Sequence, residues 1–95
     1  MIGGESTLES LKTSVIALGS DQWYGLGIAL GIEPSMIMAS TYSMVTPADK
    51  LLALIAIKEL AVGSERLRDV LLEACQNIKS PIRVLVEQKL RESSQ

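Results

Sequence analysis

Residues 46–64 read Thr46-Pro47-Ala48-Asp49-Lys50-Leu51-Leu52-Ala53-Leu54-Ile55-Ala56-Ile57-Lys58-Glu59-Leu60-Ala61-Val62-Gly63-Ser64. A threonine before a proline pairs an N-cap with a first-turn residue that has no amide to satisfy. Asp49 adds negative charge to the positive end of the same helix. Gly63 is a stop signal, and Ser64 opens the next segment. The stretch therefore predicts a helix over 47–62. It is apolar on nearly every side, so it is expected to be the most buried helix of the chain. Its longest uninterrupted apolar run, Leu51 to Ile57, falls far short of the roughly 20 residues of a membrane span. Met1-Ile2-Gly3-Gly4-Glu5 lacks a basic region followed by an apolar one, so no secretory leader is expected.

The same punctuation recurs in both directions. Ser80-Pro81 repeats the cap-plus-proline device, and Pro34 is a first-turn residue. Ser6 with Glu9 makes a capping box, closed by a left-handed Gly19. Ser20 or Asp21 caps a segment that ends at Gly31. The predicted helices are about 7–18, 21–30, 34–43, 47–62, 65–78 and 81–92. Apolar residues recur at three- and four-residue steps: Leu8, Leu11, Val15, Leu18; Trp23, Leu26, Leu30; Leu67, Leu71, Ala74, Ile78; and Ile82, Leu85, Val86, Leu90. No stretch alternates with period two for long. The expected class is all-α, one domain over 1–95 with an ordered core of about 6–92, and a fraying tail at Glu92–Gln95.

Composition narrows the function. The 95 residues are 47% hydrophobic and 21% charged, with a net charge of −2, and the sequence pI is about 5.0. That balance is globular and argues against nucleic acid. There is no histidine, and Cys75 is the one cysteine. The commonest general base, the commonest metal ligand and every Ser-His or Cys-His pair are thus missing. Catalysis, cofactor and metal are not expected, and a reducing, cytoplasmic setting is. Gly25, Gly27 and Gly31 are not followed by the Lys-Ser/Thr of a phosphate loop. Gly25 and Gly27 are read instead as points of close helix approach, at about 1 kcal/mol each in helix propensity. A mean hydropathy of +0.29 hints at buried or shared apolar surface and not at membrane insertion.

Trp23 to Ile32 reads W-Y-G-L-G-I-A-L-G-I. The tryptophan, the small-residue stretch and the L-G-aliphatic ending resemble the second helix of a death domain. Ile37 matches an aliphatic of that family's third helix. Lys50-Leu51-Leu52-Ala53-Leu54-Ile55 resembles the fourth, and Leu67, Leu71 and Ala74 repeat the spacing of the fifth. The resemblance spans Leu8 to Leu90 and rests on core patterns. Gln22 stands where the family has an acid, Ile55 near a second tryptophan, and Glu33 is the only charge between Asp21 and Asp49. It implies a six-helix antiparallel bundle of the death fold. It also implies homotypic binding to other death-fold domains, including itself, to nucleate signalling complexes in apoptosis or innate immunity.

Candidate residues follow. Trp23, Leu26, Leu30, Leu67 and Leu71 lie on the apolar stripes and are read as core. The resemblance implies an asymmetric contact, with one patch at Lys58, Glu59, Glu65 and Arg66, and another at Asn77, Lys79 and Arg83. Met36, Met38 and Met44 form a second candidate surface. Gap-filling core packing is the equal alternative; yet Met36 and Met38 flank Ile37, so not all can face inward, and adaptable methionine surface suits a partner. Cys75 beside Ala74 is read as a buried thiol. The alternative reading is an acyl-carrier-like or generic helical scaffold domain, because Ser35 opens a helix in a small acidic protein. Pro34, however, stands where a carrier has aspartate.

Overall fold

Thr46 is extended (φ −93°, ψ 146°), and its hydroxyl accepts a 3.1 Å hydrogen bond from the Asp49 amide. With Pro47 next, this cap starts helix α4, Pro47–Val62. Gly63 stops it at φ +86° and ψ 155°, a conformation that favours glycine. The computed structural model describes residues 4–78 and, beyond them, Val84, Gln88 and Arg91, which are helical. Before α4 come α1 (Gly4–Gly19), a 3₁₀ turn (Ser20–Gln22), α2 (Trp23–Ala29) and α3 (Pro34–Thr41); α5 (Ser64–Asn77) follows it. The chain is all-α, with no strand among the described residues. No helix among them is long and apolar enough to cross a membrane. The sixth predicted helix, 81–92, lies outside the described residues except at those three positions.

The caps differ from expectation in four places. Helix α1 is already helical at Gly4, so Ser6 lies inside it and is not its N-cap. Gly19 has φ −116° and ψ 2°, outside the left-handed region, because the chain tightens directly into the 3₁₀ turn. Neither that turn nor α2 has a side-chain cap, so Ser20 and Asp21 do not fill that role. Ser64 does not cap α5; its hydroxyl donates to Glu59 Oε2 at 2.7 Å.

Helix α2 ends in a Schellman arrangement around Gly31 at φ +87°. The Ile32 amide donates to the Gly27 carbonyl at 3.1 Å, and the Gly31 amide to the Ile28 carbonyl at 2.9 Å. That reversal puts Ile32 into the core and aims the chain at Pro34, the first residue of α3.

Packing centres on α4, which touches α1, α2, α3, α5 and the 3₁₀ turn. Leu51, Leu54 and Ile55 of α4 meet Leu11 and Val15 of α1, Leu26 of α2, Ile37 of α3, and Leu67, Leu71 and Cys75 of α5 in one fully buried cluster. Gly27 permits the closest approach. A Cβ there would stand 2.9 Å from both Ile37 Cδ1 and Leu54 Cδ1. Gly25 has no such neighbour, so its expected role in close approach is not met. Thr41, the buried polar residue, donates its hydroxyl to the Ile37 carbonyl at 2.7 Å.

Two core expectations change. Trp23 is half-buried and packs against the cluster from its rim. Tyr24 meets its ring edge-on, with centroids 5.7 Å apart, and the Lys50 ammonium lies 4.8 Å from its centroid. Helix α4 is central, but Leu52, Ala56, Leu60 and Ala61 are exposed. It is not buried on every side.

Candidate interaction surface

The first expected patch is divided by the helix it sits on. Lys58 and Glu59 are one residue apart, about 100° around α4, and they go to different neighbours. Lys58 is half-buried and turns toward the α2–α3 turn, where a Cβ at Gly31 would lie 3.7 Å from its Nζ. There the ammonium sits near the carbonyl end of α2, which favours positive charge. It shares a shallow cleft of about 200 Å³ with Glu33, Met36 and Ile57.

Glu59 turns to another side of α4. Its Oε1 accepts from Lys12 Nζ of α1 at 2.7 Å, and its Oε2 accepts from Ser64 of α5. Lys12 also reaches Glu9 at 3.2 Å. The Lys12 hydrogen bond, with help from Ser64, holds the Glu59 carboxyl below its ordinary pKa. The same bond to Glu59 raises Lys12 above its own. Glu59 thus ties α1 to the α4–α5 junction and is not a charge available to a partner.

Glu65 and Arg66 stand exposed in the first turn of α5, and Asn77 is exposed at its far end. Lys79 and Arg83 lie outside the described residues. The structure therefore keeps Glu65 and Arg66 together, assigns Lys58 and Glu59 elsewhere, and places Asn77 at the opposite end of α5.

The methionine surface is divided too. Met36 and Met38 are 50% and 54% exposed, while Met44 is half-buried. Tyr42 and Val45 beside them are 83% and 88% exposed. Ser35 is exposed in the first turn of α3. Sequence reasoning missed the outer face of α4, where Leu52 and Leu60 are exposed and Ala53 and Ala56 floor a groove. The signal was present. A helix apolar all round is buried all round only where the rest of the protein is large enough to cover it.

No family model, no curated protein and no solved structure matches this chain.

Proposed function

We propose that this chain is a homotypic protein–protein interaction module: a six-helix antiparallel bundle of the death fold, acting in the cytoplasm. It binds like domains through unlike patches and nucleates oligomeric signalling complexes in apoptosis or innate immunity. The observation that carries this is Gly27. The W-Y-G-L-G-I-A-L-G-I stretch, which resembles the second death-domain helix, has its second glycine at the α2–α3–α4 junction, where only glycine fits without displacing Ile37 and Leu54. That close packing at Gly27 is what supports the reading.

One binding face comprises Glu65 and Arg66 at the start of α5. The other comprises Asn77, Lys79 and Arg83. Contacts between unlike patches do not close on themselves and can grow into rings or helices. Charge on both faces guides the encounter and fixes its register.

Size-exclusion chromatography with light scattering tests this on the wild type, Glu65→Lys and Lys79→Glu. Each variant is expected to stay folded and to lose large assemblies. Mixing the two restores association, because each keeps one unchanged face. Assembly of either single variant like wild type across a range of salt would refute the surface. A phosphopantetheine adduct on Ser35, found by mass spectrometry of protein from cells, would refute the function.

A further inference from the structure

The outer face of α4 leaves large apolar side chains in water. Leu52 is 50% exposed and Leu60 89%, with exposed Ala56 between them. Spaced by four residues, the three form a single ridge along the helix. Ala53 and Ala56 floor a shallow groove of about 440 Å³ beside it, walled by Met44, Val45 and Leu52, with Ser43 and Asp49 at its polar end. No charged residue occurs from Leu51 to Ile57. Glu59, which would set a carboxylate next to the ridge, is drawn away to Lys12 and Ser64.

We propose that this face pairs with the same face of a second copy of the chain, α4 against α4 and antiparallel, on a two-fold axis through Ala56. The register follows from the ridge. Leu52 and Leu60 lie equally far on either side of Ala56, so Leu60 of each copy enters the groove beside Leu52 of the other. Alanine on the axis lets the two backbones approach. Ridges of this i±4n kind on both helices interdigitate at a crossing of about 50°. Charge agrees with this register. Exposed Asp49 comes beside Gly63 of the second copy, where the amide end of its α5 begins and Arg66 is exposed. Glu65 in that turn offsets part of the attraction, so the apolar ridge carries the contact.

Size sets the strength. From Asp49 to Leu60 the ridge runs about 17 Å, on a helix about 10 Å across. That is well under the roughly 800 Å² per partner of a standard interface. The dimer is therefore weak, dissociating in the upper micromolar range or above. It closes at two copies, unlike the open assembly proposed through Glu65 and Lys79. The two contacts share only Glu65 and Arg66, at the edge of this one, and the ridge of Leu52, Ala56 and Leu60 belongs to the dimer alone, so they fail separately.

Sedimentation equilibrium on the full chain from about 20 μM to about 2 mM tests the proposal, a range chosen to bracket weak association. Glu65→Lys, which removes the open assembly, serves as the parent for the variants below, and a monomer–dimer equilibrium is expected of it. Leu60→Glu is expected to weaken association at least tenfold while melting like the parent, because Leu60 makes little contact within its own domain. Under mild oxidation Ala56→Cys is expected to form an intermolecular disulfide, as two cysteines on a two-fold axis can. Ser35→Cys, exposed but distant in the fold, is the control that should not. A Glu65→Lys parent monomeric throughout, a Leu60→Glu variant of it that associates normally, or cross-linking no faster at residue 56 than at residue 35 would each overturn the proposal. So would a Leu60→Glu protein that melts lower with no change in mass, because the ridge would then be covered within its own chain.

Discussion

Alanine is expected to move stability in opposite directions at two glycines of α2 that lie only two residues apart. Gly25 is exposed, and a Cβ there would meet nothing within 4 Å. Alanine at that site lowers the entropy of the unfolded chain and suits a helix better, so Gly25→Ala should stabilise by about 0.5–1 kcal/mol. Gly27 is buried, and its Cβ would stand 2.9 Å from Ile37 Cδ1, 2.9 Å from Leu54 Cδ1 and 3.4 Å from Ile37 Cγ1. Carbon atoms prefer separations of about 3.5–4.0 Å, so both methyl groups must retreat by more than half an ångström. They are branch ends and can rotate, but Ile37 and Leu54 have no exposed surface to retreat into. Overpacking of this kind costs about 1–3 kcal/mol, and the gain in helix propensity offsets about 1. Gly27→Ala should therefore lose about 1 kcal/mol net. The two variants should differ by about 2 kcal/mol. At about 4–8 °C per kcal/mol for a domain of this size, their midpoints should separate by roughly 10 °C. Far-UV circular dichroism on heating, with urea titrations at 25 °C, measures this. If Gly27→Ala melts as high as Gly25→Ala, the α2–α3–α4 junction is looser than described and the argument from close packing fails.

Trp23→Ala should cost about 2–3 kcal/mol, below the full price of a buried tryptophan, because the ring sits at the core rim; a loss under about 1 kcal/mol in urea would refute the packing. In a double-mutant cycle, Lys50 and Trp23 should couple by about 0.5–1 kcal/mol, and zero coupling would remove the cation–π contact. Thr46→Ala should cost about 1 kcal/mol through loss of the α4 cap, whereas Thr46→Ser should cost much less. The Lys12–Glu59 pair should stabilise only within a pH window. The Glu59 pKa is lowered by folding, so its contribution is present above the ordinary carboxyl range near 4.5 and is lost as pH falls below it. The Lys12 pKa is raised, so its contribution is full below 10.5 and is lost as pH rises past it. Lys12→Met should flatten both edges of the stability–pH profile; edges that stay in place would assign them to other groups.

What was legible in the sequence depended on how local the cause was. Thr46, Pro47 and Gly63 bound α4 through contacts within a few residues, so their roles could be read from the chain alone. The stripe of Leu67, Leu71, Ala74 and Cys75 is likewise set by helix period, and all four are buried. The cap at Ser64 was misread because a serine near a helix end has competing partners. Ser64 turns to Glu59, five residues earlier, and the Lys12 that holds Glu59 in place is 47 residues from it. No local pattern encodes that choice. Gly25 and Gly27 look alike in sequence, and only the arrival of α3 and α4 separates them.

The interaction surface was less legible for a related reason. Adjacent residues on a helix point about 100° apart, so a run of charges is never one patch. Lys58 and Glu59 go to α2 and α1, and what remains at the α4–α5 junction is Glu65 and Arg66. The apolar run of α4 has the opposite property. Helix α4 meets all the other helices named here, yet a domain this small cannot surround it. Leu51, Leu54 and Ile55 occupy the available interior, and Leu52, Ala56 and Leu60 are what is left outside. A polar residue at position 60 would have served folding equally well, since that side chain is 89% exposed. Leucine there makes little contact with the described residues, and in the proposed α4 pairing a second copy buries it.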